Sequence, residues 1–371
     1  MTSRPIDLVL SGGGIRAMVF HLGVMKALAE AGHLEDVLRI SSVSGGSLII
    51  GLVLHKSGMQ WPSSEKFLSE VYPAVRAELT SRSLQWDALR ELCRPANLRF
   101  LLSRSNLLAS ALRRRWDICQ RLADLPESPD WSINGTNAEN GRRFRFKRAD
   151  LGDYLTGYAP SGNFPLASAM AVSAAFPGGF GPLRLRVDRF KWRRRARWDA
   201  SKEDAVEVQP DSRAFHLYDG GVYDNLGLEP FFDAGRGVAK TANGHFILVS
   251  DAGRPLDMGF SKYSLNPFRI KRVADIMSDQ SHALRVRTFH HYLSSDATRG
   301  GMIYIGDPAG DEDVDRREAR FVAAFPTSLL KLSATDFDRI ANHGRALTRL
   351  PPPREQSDVC EPTQIGTLMV D

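Results

Sequence analysis

The stretch that most limits the fold is Ile6-Asp7-Leu8-Val9-Leu10, followed directly by Ser11-Gly12-Gly13-Gly14. A short apolar run that stops on glycines has the signature of a buried strand. From Ile15 the period changes. Val19, Leu22 and Ala29 recur at helical spacing with Phe20, Val24 and Leu28 alongside, and Gly32 stands where a helix C-terminus takes a glycine. The pattern then repeats. Val37 to Ser42 reads as a second strand, and residues 47–54 as a helix closing near Gly58. That helix is apolar nearly all round, so it is expected to be buried. Strand, helix, strand, helix predicts an α/β fold: a mostly parallel central sheet with helices on both faces.

Residues from about 60 to 135 have a different character. They are rich in Leu, Arg, Ser and Glu at helical spacing and are broken by Pro62, Pro73 and Pro95. The expectation is a helical insertion over the top of the sheet, in the place of a lid. Residues 142–147 alternate as a strand with one solvated face. Residues 164–180 hold many small side chains before Phe176-Pro177-Gly178-Gly179, which predicts a tightly packed helix ending in a forced turn. Residues 183–213 are charged and expected to be exposed. Short strands are expected at 215–218, leading into Asp219, at 246–250, leading into Asp251, and at 302–305. Residues 327–349 read as a C-terminal helical region. One domain over 1–350 follows, with 351–371 a proline-led, poorly ordered tail.

With 43% hydrophobic residues in 371, the chain can bury a sizeable core. Cys93, Cys119 and Cys360 are widely spaced and form no disulfide framework, which fits a reducing, cytoplasmic compartment. The N-terminus shows no apolar signal segment, and no run of about 18 apolar residues predicts a membrane span. The net charge of +6 is concentrated in arginine clusters at 113–115, 142–148 and 191–197. Such clusters are either solvated surface or a means of attraction to an anionic membrane, where each basic residue contributes roughly 1 kcal/mol. Residues 189–198 interleave aromatics with arginines, as an interfacial segment would. No nucleic-acid-binding motif accompanies the charge, so no nucleic-acid partner is expected.

The chemistry begins at Ser42-Val43-Ser44-Gly45-Gly46, where a strand passes into an apolar helix. A nucleophile on such a bend needs small residues two positions to either side, here Ser42 and Gly46. The helix that follows points its positive end at Ser44. The same residues also fit an N-capping serine in a tight turn. Gly12, Gly14 and Ala17 match G-x-G-x-x-[GA], a dinucleotide fingerprint, but that motif needs an acid at the end of the second strand. Glu35 and Asp36 come before that strand, which leads instead to Ser44. The other reading of Gly12, Gly13 and Gly14 is an oxyanion hole of backbone N–H groups. Arg16 then either holds the loop or attracts an anionic substrate. Asp219-Gly220-Gly221 places a carboxylate at a strand end beside two glycines, a candidate base for the serine, with Asp251 a rival. His21 reads as a buried, satisfied residue, and no histidine is spaced to complete a triad. Metal-ligand spacings are lacking as well.

These three stretches together resemble the patatin-like phospholipase family, lipid acyl hydrolases that use a Ser–Asp dyad. The resemblance rests on Gly12-Gly13-Gly14-Ile15-Arg16-Ala17, on Ser42-Val43-Ser44-Gly45-Gly46 and on Asp219-Gly220-Gly221, in the family's order. Ala174-Ala175-Phe176-Pro177 also resembles the family's small-residue helix and turn. Two positions depart from the pattern: Ser42, where glycine is usual, and Ala17, where glycine is common. The resemblance implies a three-layer fold. It also implies attack by Ser44 on a fatty acyl ester, proton transfer to Asp219, an oxyanion hole at Gly12–Gly14 and release of free fatty acid. Arg16, Gly46, Gly220 and Gly221 support the motifs. No cofactor or metal is implied; the expected partner is phospholipid at an anionic membrane surface. Two other readings stay open: a Rossmann-like nucleotide-binding protein, and a catalytically inactive relative that binds lipid or a signal.

Overall fold

The computed structural model describes residues 4–100, 103–175, 181–196, 200–201, 203–240 and 244–349. The turn expected at Phe176-Pro177-Gly178-Gly179, the end of the arginine-aromatic segment at Arg197 and Trp198, and the tail 351–371 lie outside the described residues.

The opening pattern forms as read. Strand β1 (Ile6–Leu10) leads into helix α1 (Gly14–Glu30), and strand β2 (Val37–Ser42) into helix α2 (Gly45–Lys56). Every residue of β1 is buried, and α2 is buried from Gly45 to Leu54. Residues 64–115 carry α3 (Ser64–Lys66), α4 (Tyr72–Ser81), α5 (Leu84–Arg90) and α6 (Arg104–Arg115). Their apolar side chains enter the main core: Phe67, Val71, Val75 and Leu79 pack in one cluster with residues of α1 and α2.

The chain then adds β3 (Asp130–Asn137), β4 (Arg142–Phe146), β5 (Asp150–Asp153), β6 (Gly157–Pro160), α7 (Leu166–Ser173), β7 (Leu183–Arg186), β8 (Trp192–Arg194), β9 (Val206–Val208) and β10 (Ala214–Asp219). A short helix, α8 (Gly221–Asp224), and a ribbon of β11 (Phe232–Asp233) with β12 (Val238–Ala239) follow. Next come β13 (Phe246–Asp251), the long helix α9 (Asn266–Ser295), β14 (Gly300–Tyr304), α10 (Asp313–Ala324) and α11 (Ala334–Leu347).

The main sheet is mixed and runs in the order β14-β13-β1-β2-β3-β4-β5-β6-β8-β9, with β10 paired to β3 and to β7. Strands β14, β13, β1, β2 and β3 are mutually parallel; from β3 onward the pairings are antiparallel. With helices around it, this is an α/β fold. Among the described residues no helix is long and apolar enough to cross a membrane.

Two stretches depart from the sequence reading. The charged region 183–213 contains three strands. Its Leu183, Leu185 and Trp192 face inward while the arginines between them face out, so a period of 2 was masked by arginine density. Trp192 is 2% exposed, and its ring packs against those of Phe190 and Phe215 at 5.7 and 5.3 Å. It belongs to the core and is not an interfacial aromatic. Helix α9 was not anticipated at all.

One feature of the topology places the site. Strand β2 pairs in parallel with the first half of β3, Ser42 facing Ile133. Strand β10 pairs antiparallel with the second half, Asp219 facing Gly135. Both lie on the edge of β3 opposite β4, which pairs with Ile133 through Asn137. The two strands therefore run toward each other along one edge, and their C-terminal ends converge.

Candidate active site

At the end of β2 the backbone turns sharply. Ser44 has φ 52° and ψ −118°, a conformation that costs a non-glycine residue of order 1–3 kcal/mol and persists where its surroundings hold it. They do so here. The Ser44 N–H donates to both the carbonyl and the hydroxyl of Ser173 on α7, at 3.1 and 3.0 Å. Gly46 is required next: a Cβ there would lie 2.6 Å from the Leu10 carbonyl oxygen. Ser42, the departure from the expected glycine, is buried inside a hydrogen-bonded chain. Its hydroxyl accepts from the Trp131 indole N–H and pairs with Ser47 Oγ, both at 2.8 Å. Ser47 pairs in turn with Ser173 Oγ at 2.8 Å, and Ser173 donates to the Asn134 carbonyl at 2.7 Å. The extra hydroxyl thus fills a polar slot beneath the bend.

Asp219 ends β10 and is 2% exposed. Its Oδ1 accepts from the Gly221 N–H at 2.7 Å. Its Oδ2 is buried and makes no hydrogen bond of ordinary geometry, although the Ser44 hydroxyl lies near enough to favour the charged form. Burial dominates and pushes the carboxyl pKa from 3.8 up to about 7, against the opposing pull of Gly221 N–H and Ser44. The paired glycines have steric causes. A Cβ on Gly220 would meet the Asn134 carbonyl oxygen at 2.5 Å, and one on Gly221 would meet Asn225 Oδ1 at 2.8 Å.

The glycine loop between β1 and α1 lies beside Ser44. A Cβ on Gly12 would come within 3.1 Å of Ser44 Cβ. The Gly12 N–H is already given to the Asn225 carbonyl at 3.0 Å, whereas the N–H groups of Gly13 and Gly14 donate to no group among the described residues. The next amide, Ile15, donates to the Ser328 carbonyl at 2.8 Å. That contact takes up one amide at the N-terminus of α1, where the dinucleotide reading would seat a pyrophosphate. Arg16 resolves as the loop's anchor: it is buried, with Nη1 donating to the Phe325 carbonyl at 2.6 Å and Nη2 to that of Ala252 at 3.0 Å.

Ser44, Asp219 and Gly12–Gly14 all line one cavity of about 780 Å³. Leu89, Leu92, Leu107, Leu256 and Leu329 supply much of its apolar wall, the first three from the 64–115 helices and the segment that joins them. A pocket of this size and polarity suits an apolar ligand held by a few polar groups.

Asp251, the rival base, is engaged elsewhere. It accepts from the Gly253 N–H and from His282 Nε2, each at 2.8 Å. His282 itself lines the cavity. Burial opposes its protonation, but the hydrogen bond and charge of Asp251 outweigh it, so its pKa is raised. His21 is fully buried between Ser250 Oγ and the Ser11 carbonyl, at 2.7 and 3.0 Å, and desolvation pushes its pKa down to about 4. Sequence reasoning missed Asn225 and His282. Asn225 lies six residues after Asp219, within reach of inspection; nothing in the local sequence marks His282.

Residues 8–232, which hold the glycine loop, the serine bend and the buried aspartate, match the family model for patatin-like phospholipase. The chain belongs to that family. Among solved structures it is similar to human GIVD cytosolic phospholipase A2, with 13% identity and a TM-score of 0.55 over 92% of this chain and 58% of that one. The same human protein in complex with methyl gamma-linolenyl fluorophosphonate gives 12% identity and a TM-score of 0.51, covering 92% of this chain and 57% of that one. At such identity the likeness concerns the fold, and this chain spans a little over half the length of those neighbours. No curated protein matches the chain.

Proposed function

We propose that the protein is a lipid acyl hydrolase that cleaves fatty acyl esters of phospholipids or glycerolipids through a Ser44–Asp219 dyad. The observation that carries this reading is the convergence of a strained serine bend and a buried, high-pKa carboxylate at one end of an apolar cavity. Asp219 accepts the proton of Ser44 Oγ as that oxygen attacks the ester carbonyl. With a pKa of about 7 it is a far better base than an exposed aspartate. The N–H groups of Gly13 and Gly14 receive the developing oxyanion, since that of Gly12 is spent on Asn225. The positive end of α2 favours charge at the same place. The alcohol leaves with the proton, and an acyl-Ser44 ester remains. Asp219 then deprotonates a water that attacks this ester, freeing the fatty acid and restoring Ser44. The 64–115 helices that wall the cavity serve as its cover.

Release of free fatty acid from phospholipid vesicles tests the proposal. The parent protein should release it, and Ser44→Ala and Asp219→Asn should each lower the rate by at least about 100-fold. Full activity in Asp219→Asn would sink the dyad. Intact lipid binding without turnover in the parent would instead favour an inactive relative.

A further inference from the structure

Helix α9 is inverted relative to an ordinary surface helix. Lys271, Asp275, Ser278 and His282 follow the i, i+4, i+7, i+11 spacing of one helix side, and all four line the cavity. On the other side Ile270, Val273 and Met277 are 74%, 57% and 68% exposed. The loop leading into the helix adds Met258, Phe260 and Leu265, each more than half exposed. A surface helix normally turns its apolar stripe inward. Single exposed apolar residues need no explanation, but a group of six on one segment marks an interaction surface.

We propose that this face, the N-terminal half of α9 with the loop before it, seats the protein on an anionic lipid bilayer. The inference rests on the reading of the cavity as a lipid acyl hydrolase site and names the surface through which that site meets its substrate. Two observations select a bilayer as the occupant. The first is charge: residues 254–280, the loop and the N-terminal half of α9, carry five basic residues against three acidic ones, so apolar side chains are interleaved with net positive charge. Apolar groups that enter the interface and cations that stay among anionic headgroups are what a membrane-lying helix requires. The second is continuity. Arg254, Leu256 and Lys271 of the same segment are walls of the cavity, so a bilayer against the apolar face lies beside the cavity that takes the acyl chain. The burial of Trp192 removes the arginine-aromatic segment 189–194 from this role and leaves α9 to fill it.

The test is co-sedimentation with vesicles of equal parts phosphatidylcholine and phosphatidylglycerol, in the Ser44→Ala background so that no turnover alters the lipid. The expected result is binding by the Ser44→Ala protein. Ile270→Glu and Met277→Glu should each lower the partition coefficient roughly tenfold. Both positions are exposed, and an unchanged far-ultraviolet circular dichroism spectrum confirms that the variants fold. Vesicles of phosphatidylcholine alone should bind more weakly. Equal partition of variants and parent overturns the proposal. So does a parent dimer, seen by sedimentation velocity, that the same substitutions dissociate, because the face then belongs to a second copy. Hydrolysis of a soluble short-chain ester by the active parent is measured separately. Its absence strikes the catalytic reading, while the binding comparison still decides this one.

Discussion

A carboxylate with a raised pKa costs stability in the same pH range in which it serves as a base. Folded Asp219 holds its proton up to about pH 7, whereas in the unfolded chain it gives it up near 3.8. Between those values the native state binds more protons than the unfolded state, so stability falls as pH rises through the window. Above pH 7 the charge is present and buried, with its one hydrogen bond of ordinary geometry at Oδ1. Asp219→Asn should therefore be inactive yet melt at or above the temperature of the parent above pH 7, with the difference shrinking toward pH 4. Thermal melts across that range check this. Activity has the opposite sign: kcat/KM of the parent should rise with pH through about 7, as the base form appears. Ser42 makes a second residue-scale case. If it were a defect in the bend, restoring glycine should help. The structure predicts otherwise, because Ser42→Gly strands the buried Trp131 indole N–H, at a cost of about 1–3 kcal/mol, and adds a glycine to a strand. The expected outcome is a lower melting temperature with little gain in fatty acid release.

At the scale of elements, the site depends on two helix N-termini that touch. A Cβ on Gly45 would lie 2.3 Å from the Gly14 carbonyl oxygen, and one on Gly14, at φ 61°, would lie 2.6 Å from the Ser328 carbonyl oxygen. Gly14→Ala should thus strain the loop and push Ser328 away, shifting the free N–H groups. We expect a fall in kcat of at least about 10-fold with KM little changed, measured on a soluble ester. Strand ends were the part of this arrangement most legible in the sequence. β1, β2, β10 and β13 could be read because buried strands next to glycines or acids leave a short, strong pattern. Helix α9 could not be read, because periodicity reasoning assumes that the apolar side faces the core. In α9 one side is polar toward a cavity and the other apolar toward the exterior, and half its length then packs Phe289 against β13. The strands at 183–208 were hidden for a simpler reason: arginines outnumber the inward-facing residues that define the period. No local pattern could reveal that β2 and β10 share an edge of β3.

At the scale of the molecule, the match to the family model stops at residue 232, but the fold does not. Each residue of β1 pairs with one of β13, and β14 continues the sheet beyond it. Arg16 ties the glycine loop to the carbonyls of Ala252 and Phe325, and α11 packs closely on α1, where a Cβ on Gly23 would reach within 2.0 Å of the Ala341 carbonyl oxygen. A fragment ending at residue 232 would expose the edge of β1 and one side of α1, so it should aggregate and show no cooperative thermal unfolding. The central claim is that Ser44 is a nucleophile activated by Asp219. Its most direct measurement is peptide mapping by mass spectrometry after treatment with a fluorophosphonate bearing a fatty chain. The account predicts one adduct, on the peptide containing Ser44, formed rapidly in the parent and at least about 100-fold more slowly in Asp219→Asn. An adduct on a different residue, or equal labelling of Ser44 in the two proteins, would contradict it.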